Sequence, residues 1–304
     1  NWTYANGNID EGVEFSVVCA PEGYTYVPDD NFEQALIELG YDNVLDNFVL
    51  TENISGVTSL DVYGKSISDL AGIQDFTALD FLNCGGNSLT FLNVSNNTAL
   101  TTLWCGGNDL TALDVSANTA LEQLSCHTNE LTALDVSANT ALTTLGFGQN
   151  QLTAIDLSTN TALTDMRFYN NELTSLDVSA NTALTYLDVN SNSLTVLDLS
   201  ANTDLTNLGC SSNELTSLDV SNNTALEVLT CYSNQLTSLD VSANTSLTTL
   251  NCYGNQLTYL NMKNGVTDGL TAFNATGNSL TCIEVQNPDW ATANWTSADG
   301  HIDS

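Results

Sequence analysis

Two residue types fall on one ruler along this chain, and either could carry chemistry. Asp114, Asp135, Asp156, Asp177, Asp198, Asp219 and Asp240 recur every 21 residues, with Asn93 and Asn261 in the same place at the two ends. If consecutive copies stack, carboxylates stand about 5 Å apart on one outer face, and calcium is the cofactor such a ladder suggests. A calcium ion, however, takes about six to eight oxygens, and this column supplies one carboxylate per copy between small Ala and Ser side chains. The plainer reading is that each Asp bonds to nearby backbone or Ser groups and keeps that edge soluble.

Cys84, Cys105 and Cys126, then Cys210, Cys231 and Cys252, share a second register, and Phe147, Phe168 and Val189 fill it between them. A metal ladder would need a His or a second Cys beside each thiol, and none is there. Disulfides between adjacent copies would need side chains that turn toward each other. Phe and Val in the same column decide for an apolar filler, so the thiols are expected to be buried and free. Cys19 and Cys282 lie at opposite ends, about 50 Å apart at strand spacing, too far to pair. His127 and His301 are the two histidines, and neither a G-x-S-x-G motif nor a phosphate-cradling glycine loop occurs. No enzyme activity is expected.

The elements that position these columns follow from the unit itself, LTTLWCGGNDLTALDVSANTA from Leu100 to Ala120. Along T-L-W-C-G, alternation puts Leu103 and Cys105 inside and Thr102, Trp104 and Gly106 outside; along A-L-D-V-S, Leu113 and Val115 point in. Both halves therefore read as short strands, and stacking at roughly 4.8 Å gives parallel ladders on both sides of a thin core. With no outer helix to force curvature, the rod should be nearly straight. One Asn column runs from Asn87 to Asn255, and a second Asn closes the other half of each unit. Each is expected to pair backbone groups buried where the chain turns.

The chain has 304 residues and a formal net charge of 3 − 36 = −33, with 42% apolar and 13% charged residues. Lys65, Arg167 and Lys263 are its whole basic complement. That excludes nucleic acid and anionic membrane surfaces as partners. The apolar content is too high for a disordered acidic chain, no run is long enough to insert in a membrane, and no signal peptide opens the sequence.

The pattern L-x-x-L-x-C-x-x-N-x-L resembles the leucine-rich repeat. Its nested ten-plus-eleven arrangement is similar to the bacterial 21-residue class called IRREKO, and VTSLDVYGKSISDLAGIQDFTAL is similar to an internalin-type unit. The fold class expected is a leucine-rich repeat β-solenoid of about ten to eleven turns, with a short N-terminal helical cap and an irregular C-terminal cap. In the first cap, Asp29 or Asp30 opens a helix whose Phe32, Ala35, Leu36 and Leu39 face the core and which Gly40 stops. Residues 1–56 form the N-terminal segment, 57–281 the solenoid and 282–304 the C-terminal cap. YVPDDNFEQALIELG and LTCIEVQNPDWATANWTSADGHIDS resemble the ends of secreted leucine-rich repeat proteins of Bacteroidota. That resemblance implies a secreted or cell-surface location, a missing cysteine partner for Cys282 and a natural chain that continues past Ser304.

Leucine-rich repeat proteins recognise partners through the strand face, and the resemblance implies the same here. Its outward positions differ from turn to turn, whereas the Ala-Asp-Ser face is nearly uniform. Trp104 with His127 forms one candidate patch, Arg167, Tyr169 and Tyr186 a second flanked by Asp165 and Asp188, and Tyr232 with Tyr253 a third. Tyrosine also simply suits an exposed β surface. Gly146, Gly148 and Gly209 leave shallow gaps where a sugar or peptide could lie, and Arg167 is either an anchor for a carboxylate or relief for the acidic field. The function expected is non-catalytic binding of a protein or glycan at a cell surface. Its rivals are self-association into a filament or surface layer, and ice binding along Thr98, Thr119, Thr140, Thr161 and Thr182, whose neighbouring column breaks at Glu122 and Glu227.

Overall fold

One buried apolar residue per turn sets the register of the main sheet. Leu60, Leu82, Leu103, Leu124, Leu145, Met166, Leu187, Leu208, Leu229, Leu250 and Phe273 are each the centre of a three-residue strand, and the strands join in one parallel 11-stranded sheet. The computed structural model describes residues 20–298 and 300–303. Cys19 and the rest of the first 19 residues lie outside the described residues. From Leu82 to Leu250 the register advances by 21 residues per turn, as at Leu103 opposite Leu124. The turns make a β-solenoid with little helix.

Both Asn columns stitch turn to turn. Asn108 donates from Nδ2 to the Cys84 and Cys105 carbonyls at 3.1 and 3.0 Å, while its Oδ1 accepts from the Leu89 amide at 3.0 Å. In the other column, Asn118 donates to the Val94 and Asn97 carbonyls, both at 2.9 Å. The residue just before each Asn of the first column is left-handed: Gly86 and Gly107 take this conformation freely, but Thr128, with φ 54°, is a β-branched side chain held there against its preference. Between the two stitches lie the six cysteines of the ruler, fully buried and free. Phe147 and Phe168 continue their column as a stacked pair with ring centroids 4.0 Å apart.

The second ladder departs from expectation. On the Asp face, pairing is confined to one bridge, Asn93 with Asp114, and a three-stranded sheet of Ser238–Asp240, Tyr259–Met262 and Cys282–Val285. The acidic column explains the pattern. Strands pair where an Asn meets an acid, at Asn93/Asp114, Asp240/Asn261 and Asn261/Glu284, and not where Asp would stack on Asp. Like charges directly opposite oppose pairing. In those turns Asp Oδ1 instead accepts from the Ser amide two residues on, as from Ser158 to Asp156 at 2.9 Å, a local bond that competes with a ladder.

At the N-terminal end, helix α1 (Asp30–Glu38) is capped by Asp29, whose Oδ1 accepts from the Asn31 and Phe32 amides. Its Oδ2 accepts from the Ser68 amide and hydroxyl, tying the cap to the solenoid. Phe32, Ala35 and Leu36 are buried, but Leu39 is exposed rather than facing the core, because the helix has already ended there and Gly40 turns the chain with φ 82°. An antiparallel pair, Tyr24–Tyr26 with Phe48–Leu50, completes the cap. At the other end, helix α2 (Pro288–Asn294) leads to Trp295, whose ring packs 4.3 Å from Phe273. The His301 carbonyl and the Asp303 carboxylate accept from Ala275, Gly277 and Asn278, covering the last edge of the main sheet.

Candidate functional site

The outward side chains of the main sheet form three columns, because strand alternation repeats at every turn. Trp104 stands in the middle column, 41% exposed, with its ring braced edge-on by Phe81 at 5.2 Å. It shares a groove of about 410 Å³ with Tyr63, Asn83, Gln123, His127 and Arg167. The first expected patch, Trp104 with His127, is thus brought together. Tyr63, Phe81 and Asn83 were missed in the sequence because the first long turn spans 22 residues from Leu60 to Leu82 and falls outside a ruler counted from the cysteines.

Two of the three expected glycine gaps are closed. The Tyr169 ring lies flat over Gly148, where a Cβ would stand 2.6 Å from it, and the Asn190 amide covers Gly209 at 2.8 Å. His127 covers Gly106 in the same way at 2.6 Å. Gly146 stays open, with its nearest side-chain neighbours at 3.8 and 3.9 Å.

The second patch is an ion cluster. Arg167 forks onto Asp165 of its own strand at 2.9 and 2.8 Å, and its guanidinium lies over the Tyr186 ring, 5.1 Å from the centroid. The bond to Asp165 pushes the guanidinium pKa up. Burial pushes Asp188 above the usual carboxylate range, and burial with the nearby Asp188 charge pushes Tyr186 up as well. The fork is therefore engaged within the chain and is no open anchor for a carboxylate. The other cations are paired too, Lys65 with Glu38 at 2.7 Å and Lys263 with Glu284 at 2.6 Å. In the third patch, Tyr253 is 46% exposed and leans toward Gly277 of the following turn, while Tyr232 lies in the turn before it, half-buried; no ring contact joins them among the described residues.

On the opposite face, hydrogen bonds from the Ser116 hydroxyl and amide hold Asp114 below the ordinary carboxylate range, and Asp177 likewise through Ser179. Each Asp has one oxygen committed in this way. Among the described residues no group of three or more His, Cys, Asp or Glu side chains converges as a metal site would require. No described helix is long and apolar enough to cross a membrane.

No family model matches the chain. Over 72 residues, 24% of the chain, it is 42% identical to internalin J of Listeria monocytogenes serotype 4b (strain F2365), a stretch that is 8% of that protein. The solved functional domain of InlJ from Listeria monocytogenes, described as including a cysteine ladder, superimposes with a TM-score of 0.79 at 37% identity, covering 89% of this chain and 62% of that one. A leucine-rich repeat protein of Leptospira interrogans follows at TM-score 0.65 and 22% identity, covering 77% and 62%. The internalin InlF from Listeria monocytogenes str. 4b F2365 gives 0.54 and 23%, covering 87% and 92%. The last two show the fold alone. The chain spans less than two thirds of the length of internalin J and of its solved domain, and its fold is the internalin-like leucine-rich repeat solenoid.

Proposed function

We propose that the chain is the recognition part of a secreted or surface-attached bacterial protein, that it binds a protein or glycan through the main-sheet face, and that it catalyses nothing. One observation carries this reading. The face holds exposed aromatic side chains, Tyr63, Trp104 and Tyr253, that differ from turn to turn on a rigid stitched backbone, while the opposite face repeats Asp and Ser. Large apolar side chains left in water are the usual anchors of interfaces. The likeness to InlJ supports the placement at a bacterial surface. The test is retention of the labelled chain on protein and glycan arrays. Trp104→Ala and Tyr169→Ala should weaken binding about tenfold while Asp177→Ala leaves it unchanged; the reverse pattern overturns the reading.

A second reading, self-association, has its own observation. The Cys282–Val285 strand is an edge of the outer sheet, Cys282 is exposed, and a hollow of about 420 Å³ opens beside it against Ile302 and Asp303. Such an edge can pair with another chain. Light scattering decides it: a particle mass that stays monomeric as concentration rises dismisses self-association.

A further inference from the structure

The groove beside Trp104 crosses the N-terminal half of the strand face from Tyr63 to Arg167. Its floor is largely backbone. Gly85, Gly106 and Gly146 lie along it, and a Cβ at Gly85 would stand 2.9 Å from the Gly106 carbonyl oxygen. Two rings rise above this floor. Tyr63 is 63% exposed and leans over Gly86; Trp104 stands two turns on, about 10 Å away at strand spacing. Phe81 braces Trp104, so its ring is already oriented and loses little freedom when a ligand lies on it.

The polar lining is neutral. Asn83, Gln123, Ser125 and Thr144 offer amides and hydroxyls, and no Asp or Glu lines the groove although the chain carries 36 of them. Arg167 at the far end is held by Asp165 with Asp188 behind it, so this cluster of one cation and two acids attracts no anion. At a net charge of −33 the chain also repels polyanions at long range. A peptide would want a free sheet edge or a deep apolar pocket, and the middle of a continuous parallel sheet provides neither. Ring faces over a backbone floor, rimmed by neutral donors and acceptors, suit a ligand that has apolar C–H faces, many hydroxyls and no charge.

We propose that this groove binds a neutral oligosaccharide, with sugar rings stacked on Tyr63 and Trp104 and hydroxyls bonded to Asn83, Gln123 and Ser125. The proposal rests on the strand-face reading above and adds the ligand class.

Calorimetric titration with neutral hexose and N-acetylhexosamine oligosaccharides, and with the same chains carrying uronic or sialic acid, tests it. The neutral chains should bind. Trp104→Ala and Tyr63→Ala should each weaken binding about tenfold, Trp104→Phe should keep most of it, and Tyr253→Ala, on the same face outside the groove, should change nothing. Acidic chains should bind more weakly, with the gap narrowing as salt rises. Tighter binding of the acidic chains, or neutral binding indifferent to Trp104→Ala, overturns the proposal. If no neutral oligosaccharide binds but a protein retained on the arrays is still lost with Trp104→Ala, the ligand class falls and the strand-face reading stands. If Asp177→Ala is the damaging variant, the strand-face reading falls.

Discussion

Asn261 donates from Nδ2 to Asp240 Oδ2 at 3.1 Å across adjacent turns, and the two residues are register partners in the outer sheet. An amide can do this where a second carboxylate cannot, since it supplies a donor and carries no charge. Burial works to raise Asp240, yet Ser242 and Asn261 together bring it below the ordinary carboxylate range.

This relationship predicts that the outer ladder can be extended. Asp156→Asn with Asp198→Asn would leave each remaining Asp from Asp135 to Asp219 facing an amide, while Asn Oδ1 still accepts from the Ser two residues on. The double variant should melt at a higher temperature and gain amide-exchange protection on the outer face, and its Tm should depend less on salt. An unchanged salt dependence would mean that charge is not what keeps those turns unpaired.

Acid should act through the same column. Asp114, Asp135, Asp156, Asp177, Asp198 and Asp219 all titrate below their ordinary value because Ser groups bond to the ionised form. Protons then bind the unfolded chain more tightly, so this stability is complete above about pH 4 and is lost as pH falls through the lower folded values. Asp188 runs the other way: burial raises it, so its protonation offsets a part. Thermal melts should be flat from neutral pH to about pH 5 and fall below about pH 4. A Tm that climbs in acid would show that repulsion between stacked carboxylates outweighs their Ser bonds.

The main sheet was legible because each strand is specified by its own residues: Leu103 and Cys105 alternate with Thr102 and Trp104, and the neighbour repeats the rule. The outer ladder was not, because pairing at Asp156 depends on what stands one turn away. The closed gaps have the same cause, since Gly148 and Gly209 are covered by Tyr169 and Asn190 from neighbouring turns. The antiparallel pair in the N-terminal cap has no repeat to announce it, and Leu39 obeys helix periodicity but lies past the helix end. Arg167 looked like a free anchor because sequence shows its scarcity, whereas its use is decided by the Asp165 carboxylate two residues before it.

The buried thiols should be inert. Burial pushes Cys105 to about 12, and Cys84, Cys126 and Cys231 well above their ordinary value. In a Cys19→Ser background, a chromogenic disulfide reagent at mildly alkaline pH should find Cys282 quickly and the six column thiols only after denaturation. Cys105→Val should cost less than about 1.5 kcal/mol, because Val189 already fills that column. Fast reaction of a column cysteine in the folded chain would mean that the turns open there.

The second Asn column should be worth more to stability than the aspartates that announce the repeat. Asn160 is fully buried and donates to the Val136 and Asn139 carbonyls at 3.0 and 2.9 Å, so Asn160→Ala strands two acceptors and opens a cavity between turns. The expected loss is about 2–5 kcal/mol, read from urea midpoints. Its own Oδ1 has no partner, so the residue acts here as a donor; Asn160→Asp, which keeps the shape and removes the donors, should be at least as damaging as Ala. Asn108 differs in using both ends, with Oδ1 bonded to the Leu89 amide, so Asn108→Asp keeps one of its roles and should cost less than Asn160→Asp. Exposed Asn222, with a single 3.4 Å contact to the Ser200 carbonyl, is the control, and Asn222→Ala should shift stability by no more than about 0.5 kcal/mol. Equal losses at Asn160 and Asn222 would refute the stitching role, because one position turns two buried carbonyls inward and the other faces water.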